Sequence, residues 1–124
     1  MFMEKSQILI IDDEITSRMV IERYLSRKYS VVAMEDGEEA LNWLKEDNFP
    51  NLIIVDVEMP NINGYEFLKF VKENEFLKKI PVMMLSGIDN IDEQKKYLEL
   101  GAVDFIEKPF NHKELDIKVE NSFR

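Results

Sequence analysis

Aspartates carry most of the chemistry open to this chain. Asp12 and Asp13, followed by Glu14, close the apolar run Ile8-Leu9-Ile10-Ile11, and Asp56 closes Leu52-Ile53-Ile54-Val55. Further along, Ser86-Gly87 follows Pro81-Val82-Met83-Met84-Leu85, and Lys108-Pro109-Phe110 follows Ala102-Val103-Asp104-Phe105-Ile106. If the runs at residues 8–11 and 52–55 are adjacent strands, Asp12, Asp13 and Asp56 meet at one mouth. Three carboxylates so close repel, and some take up protons unless a cation sits among them. With a single histidine and no cysteine, the hard oxygen ligands favour Mg²⁺, or Mn²⁺, over zinc. Such a metal keeps open positions for phosphoryl oxygens. Asp56, fixed at a strand end, is the acid best placed as a nucleophile. The Ser86 hydroxyl and the Lys108 ammonium could then serve the equatorial oxygens in phosphoryl transfer. Each residue has an ordinary structural rival: an Asp pair caps a helix, Ser-Gly makes a turn, a lone lysine is solvated. Their coincidence at separate strand ends favours a site.

The elements that must hold these residues are legible as an alternation. The four runs above and Val31-Val32-Ala33-Met34 are strand-like, with helix-length segments between them. In chain order the first, third and fourth are apolar on consecutive residues, as in parallel strands covered on both faces, and the more polar second, Val31–Met34, and fifth, Ala102–Ile106, suit sheet edges. Helical stripes run through Val20, Ile21, Tyr24 and Leu25, through Ala40, Leu41 and Leu44, and through Phe67, Leu68 and Val71. Asp36 with Glu39, Asn63 with Glu66, Asn90 with Glu93 and Asn111 with Glu114 repeat the capping-box spacing. Stops are expected at Arg27-Lys28, at Lys78-Lys79 and at Gly101. The segment Ile91 to Leu100 has the weakest apolar stripe and is expected to be loosely packed and mobile. Repeated (βα) units imply a parallel sheet with right-handed crossovers and helices on both faces. Five units are too few for an eightfold barrel, which leaves a single α/β domain over residues 1–124 with an open, doubly wound sheet. Sites in such sheets lie outside the carboxyl ends of the strands, where the strand order reverses.

Composition narrows the function classes. The 124 residues are 45% apolar and 33% charged, enough for one core without disulfide staples. Sixteen basic against 25 acidic residues give a formal charge of −9. That surface repels nucleic-acid backbones and anionic lipid, so a cation or another protein is the expected contact and direct nucleic-acid or membrane binding is not. The first seven residues lack the apolar core of a signal peptide, and no run is long enough to cross a bilayer, so a cytoplasmic location is expected.

At the level of motifs, the chain resembles the receiver domains of two-component response regulators. The matching stretches are Ile10 to Glu14, Glu35 to Leu41, Asp56-Val57-Glu58-Met59-Pro60-Asn61-Ile62-Asn63-Gly64, Leu85-Ser86-Gly87 and Gly101 to Phe110. They stand in family order and cover essentially the whole chain. The resemblance implies a flavodoxin-like fold with strand order 2-1-3-4-5. It further implies transfer of a phosphoryl group from a histidine kinase, or a phosphotransfer protein, to Asp56. Mg²⁺ would be held by Asp13 and Asp56, by Asp12 through water and by the backbone carbonyl of Glu58. Lys108 would pair with the phosphoryl group, Ser86 would move in to bond it, and Phe105 would swing inward. The face made by the fourth helix, fifth strand and fifth helix would then be the output surface, for a downstream protein target, an attached output domain or a second copy. A chain ending at Arg124 is expected to carry no output domain, and Lys108–Pro109 is a candidate cis peptide that would aim the lysine at the site.

Some positions depart from the commonest pattern of that family. Phe105 stands where Tyr is frequent, Ser86 where Thr is frequent, and Tyr97 and Leu100 are bulkier than usual. Glu58 could reach the metal, pair with Lys108, or orient water against the acyl phosphate, and so change the lifetime of the phosphorylated form. Trp43 is expected to be partial core or surface, Met83 and Met84 core, and His112 surface. Two other functions remain open on sequence alone. Asp56-Val57-Glu58 resembles the Asp-x-Asp pair of haloacid-dehalogenase-type phosphatases, although the upstream acidic pair and the short chain fit poorly. A flavodoxin-like cofactor binder would need a hydroxyl-rich phosphate loop where three acids stand.

Overall fold

The computed structural model describes residues 5–87 and 90–123. Residues 1–4, on which part of the leader expectation rests, and Arg124 lie outside the described residues. Five strands alternate with five helices: β1 Gln7–Ile11, α1 Ile15–Leu25, β2 Ser30–Met34, α2 Gly37–Lys45, β3 Leu52–Asp56, α3 Gly64–Glu73, β4 Val82–Ser86, α4 Ile91–Leu100, β5 Asp104–Glu107 and α5 His112–Ser122. All pairings are parallel, in the order β2-β1-β3-β4-β5. The three strands with consecutive apolar residues are the central ones, because only strands covered on both faces bury every side chain.

Alternation along each strand then divides the core in two. Leu9, Ile11, Ile53, Val55, Val82, Met84 and Phe105 pack on one face with Ala40, Leu41, Leu44, Phe67, Leu68, Val71 and Tyr97. Ile8, Ile10, Leu52, Ile54, Met83, Leu85 and Ile106 face the other way, against Ile21, Leu25, Leu115 and Val119. Each such side chain removed from water contributes about 1.5–3 kcal/mol, so the sheet is held rigidly where its ends must present polar groups. Met83 and Met84 are fully buried, Trp43 is half-buried against the core, and the exposed His112 ring lies 4.5 Å from that of Tyr24.

The four expected caps are present, with one difference. Asp36, Asn63, Asn90 and Asn111 each accept backbone N–H bonds in the first turn of their helix, but the reciprocal bond from the third residue forms only in α3, where the Asn63 N–H donates to Glu66 Oε1 at 3.2 Å. The glutamates of the other three helices leave the N-cap amide to other partners or solvent; each still suits the positive end of the helix dipole, and Glu114 also pairs with Lys118 at 3.5 Å. The stop expected at Lys78-Lys79 also falls earlier. α3 ends at Glu73, where Asn74 turns the chain by accepting the Phe76 and Leu77 N–H groups on its own side chain, a local competitor to helix continuation. Lys72 then donates to the carbonyls of Lys78 and Ile80, closing the turn.

Gly64, the last residue of the Asp56–Gly64 motif, opens α3 directly beneath the strand end. A Cβ there would lie 2.6 Å from the Asp56 carbonyl oxygen and 2.7 Å from Val57 Cα. Both neighbours are backbone and cannot rotate away. Gly64→Ala is therefore expected to cost about 1–3 kcal/mol, the range for overpacking a dense interior, and to push the Asp56 segment out of line. A urea midpoint unchanged from wild type would show that the segment has slack the packing does not suggest.

Candidate functional site

Register alone brings the acids together. Ile11 stands opposite Val55, so the next residues, Asp12 and Asp56, leave neighbouring strands at the same level. Asp56 lies opposite Leu85, and Ser86 opposite Glu107, which sets Ser86 and Lys108 one step beyond on the same rim. The backbone N–H of Lys108 donates to the Ser86 carbonyl at 2.7 Å, and the Asp12 N–H to that of Met34 at 3.0 Å. The Lys108–Pro109 bond is cis, and the lysine side chain runs back over the sheet end.

Asp12, Asp56 and Ser86 are buried polar residues among the described ones, while Asp13 is exposed at the rim. Lys108 Nζ donates to Asp56 Oδ2 at 2.8 Å and lies 3.2 Å from Asp12 Oδ2. The other Asp56 oxygen accepts the Glu58 N–H at 3.0 Å, and Asp12 Oδ1 accepts that of Glu14 at 3.0 Å. These two Asx-type turns aim both carboxylates and leave few ways for them to rotate. Among the described residues, no hydrogen bond reaches Asp12 Oδ2; the neighbouring ammonium touches it without good geometry.

Electrostatics follow from that crowding. Burial, and then the Asp56 carboxylate beside it, push the Asp12 carboxyl up to about 6, against the Glu14 amide and Lys108, which favour its charge. Burial works against the Lys108 charge, but the hydrogen bond and charge of Asp56, with Asp12, outweigh it and hold the ammonium above its usual range. Lys108 thus offsets part of the negative charge. It does not satisfy all of it.

The residues present fit a hard divalent cation. Asp12, Asp13 and Asp56 each offer an oxygen, the three within 4.8 Å of one another, and the orphaned buried Asp12 Oδ2 is what such an ion would satisfy. Carboxylate oxygens alone, with no imidazole or thiolate, are the donor set of Mg²⁺ or Mn²⁺.

Above the acids opens a cavity of about 930 Å³ lined by Asp13, Glu14, Asp56, Glu58, Tyr97 and Lys108 among others. Glu58 is exposed at its edge; the ion pairs of Lys108 are with Asp12 and Asp56, so of the three roles open to Glu58, pairing with Lys108 is not the one seen. Phe105 is 6% exposed, its ring edge-on to Tyr97 at 5.6 Å.

Two residues with a part at the site carry no clear sequence signal. Arg18 donates from Nη1 to the Asp12 carbonyl at 2.8 Å, tying α1 to the end of β1; an arginine at that helical position looks like any solvated charge. Tyr97 stands out in sequence only by its bulk. Its phenol is pushed up by burial first, then by the charges of Glu93, Tyr65 and Glu58, and the residue lines the cavity over the acids.

A parallel sheet with reversed order between β1 and β3, and acids plus a lysine at that reversal, defines a receiver-type α/β domain. The chain belongs to the response regulator receiver domain family, whose model matches residues 8–120. It is 37% identical over 98% of its length to a "Probable transcriptional regulator ycf27" of Porphyridium aerugineum and spans 50% of that relative. It is 42% identical to the "Two-component response regulator ORR3" of Oryza sativa subsp. indica, with 82% of this chain and 79% of that one covered. The chain thus spans about half the length of several of the curated relatives it matches. Among solved structures, the chemotaxis response regulator CheY4 of Vibrio cholerae superposes with a TM-score of 0.88 at 29% identity, over 95% of this chain and 98% of that one. The flavodoxin-like fold and the receiver family are those expected from the motifs.

Proposed function

We propose that this domain accepts one phosphoryl group on Asp56 from a phosphohistidine, carried by a histidine kinase or phosphotransfer protein, and signals through a change of surface. The observation that carries this is the placement of a buried, rigidly aimed Asp56 against Lys108 beside two further carboxylates. Asp56 Oδ attacks phosphorus, the P–N bond to the donor imidazole breaks, and the nitrogen keeps the electron pair. Lys108, already seated against Asp56, moves its ammonium to the incoming oxygens without leaving the site. Asp13, Asp56, the Glu58 carbonyl and, through water, Asp12 are the groups that would hold Mg²⁺ or Mn²⁺. When bound, that ion offsets carboxylate and phosphoryl charge and so lets two anions approach.

The acyl phosphate is released by water, so the chain catalyses its own phosphorylation and dephosphorylation and does not turn over external substrates. Ser86 lies one residue beyond the partner of Asp56 on the neighbouring strand, where its hydroxyl would move in to bond a phosphoryl oxygen as Phe105 swings inward. New charge-assisted bonds to Ser86 and Lys108 then shift the population of the α4, β5 and α5 surface, the face for a protein target, an output domain or a second copy. Among the described residues, no helix is long and apolar enough to cross a membrane.

The test is incubation with acetyl phosphate and Mg²⁺, read by intact mass, in wild type and Asp56→Asn. Glu58 offers a second check on the same chemistry. Its carboxylate sits on the rim with no ion pair among the described residues, placed to orient water onto the acyl phosphate. Glu58→Gln is expected to lengthen the phosphorylated lifetime by about tenfold, modest beside full general-base catalysis. Equal hydrolysis rates would remove Glu58 from the mechanism.

A further inference from the structure

α4 is attached to the body differently from the other helices. α1 and α5 each bury two residues and α2 and α3 four each, but among the described residues Tyr97 is the one α4 side chain that is buried. Ile91 is 80% exposed and Leu98 47%. At about 1.5–3 kcal/mol per buried side chain, α4 is the helix that moves at least cost. Its anchor is also a wall of the acidic cavity, which Tyr97 lines with Glu58 and Gly87. The same ring stands edge-on to Tyr65 of α3 and to Phe105 of β5, both at 5.6 Å, while Lys96 lies over the Tyr65 ring.

The other described walls include strand ends and the Val57–Pro60 segment, the latter held by the backbone bonds of Val57 to Leu85 and of Gly64 to Val57. A group added to Asp56 brings bulk and about two negative charges into a space whose wall on the α4 side is this tyrosine. We propose that Tyr97 couples the two places: its ring is the wedge through which a phosphoryl group on Asp56 repositions α4, while holding Phe105 buried. This rests on the phosphoacceptor reading of Asp56. Tyr97 is a positioning residue and touches no reacting atom.

The experiment compares wild type, Tyr97→Phe, Tyr97→Leu and Leu100→Ala, each phosphorylated with acetyl phosphate and Mg²⁺. Leu100 is only partly buried, at the far end of α4 and outside the cavity lining, so Leu100→Ala loosens the helix without opening the wall. In wild type and Tyr97→Phe, α4 amide exchange is expected to change by about fivefold or more on phosphorylation, the lower end of allosteric coupling. In Tyr97→Leu that response is lost, and because the smaller side chain opens the wall beside the acyl phosphate to water, its half-life shortens by about fivefold. Leu100→Ala exchanges faster in both states but keeps the wild-type half-life. A Tyr97→Leu helix that responds as wild type, or a Leu100→Ala half-life shifted equally, overturns the coupling; so does a Tyr97→Phe protein that behaves as Tyr97→Leu. Phosphoryl uptake, scored by mass in every variant, separates the claims. No uptake at Asp56 in wild type overturns the phosphoacceptor reading and the coupling with it, whereas normal uptake with an unchanged α4 response overturns the coupling alone.

Discussion

Asp56→Asn is expected to take up no phosphoryl group from acetyl phosphate and Mg²⁺ under conditions in which wild type gains one. The amide matches the carboxylate in shape and can still accept the Glu58 N–H that aims it, so the site geometry survives. What it lacks is a nucleophilic oxygen and the charge opposite Lys108 Nζ at 2.8 Å. The outcome separates Asp56 from its neighbours, because Asp12 and Asp13 remain in place and either could in principle be phosphorylated. Modification of Asp56→Asn to the wild-type extent would move the acceptor to one of them. Sustained hydrolysis of phosphate monoesters by wild type would instead revive the phosphatase reading.

The second large effect concerns stability. Asp12 is buried with an oxygen that no hydrogen bond reaches among the described residues, and its carboxyl is lifted from 3.8 to about 6. A group with a raised folded-state pKa binds more protons folded than unfolded, so its favourable contribution is complete below about pH 4 and is lost as pH rises through 6. Above that the metal-free protein carries an ionised carboxylate that the fold would rather keep neutral. Asp12→Asn keeps an acceptor for the Glu14 N–H and removes the charge. It should stabilise the metal-free protein at pH 8 by about 1–3 kcal/mol, from roughly two pKa units at 1.36 kcal/mol each, with the difference vanishing towards pH 4. The same change removes a carboxylate from the cation site, so added Mg²⁺ should raise the urea midpoint of wild type more than that of the variant. Urea melts at pH 4, 6 and 8, with and without Mg²⁺, measure both. A variant less stable than wild type at pH 8 without metal would mean that the Lys108 ion pair outweighs the burial cost.

Where the sequence could be read, it was through local physics. Consecutive apolar residues at Ile8–Ile11, Leu52–Val55 and Val82–Leu85 can only be buried on two faces, and they are the central strands. Asp36, Asn63, Asn90 and Asn111 each satisfy amides within three residues, so those helix starts need no tertiary partner. α3 ends before the basic pair Lys78-Lys79 because the Asn74 side chain takes up the Phe76 and Leu77 N–H groups first.

The chain by itself therefore determined its alternating elements, their caps and the identity of the acids, hydroxyl and lysine at the strand ends. Periodicity left open that β1 lies beside β3, which the motif resemblance implied and the tertiary structure shows, setting Asp12 level with Asp56; that Lys108 pairs with both carboxylates is seen only in the tertiary structure. It alone decided that Tyr97 is both the buried anchor of α4 and a wall of the cavity. The physical reason is range: caps and periodicity are settled by neighbours within a turn or two, whereas strand order and side-chain convergence are fixed by contacts between residues as far apart as Asp12 and Lys108, which periodicity does not encode.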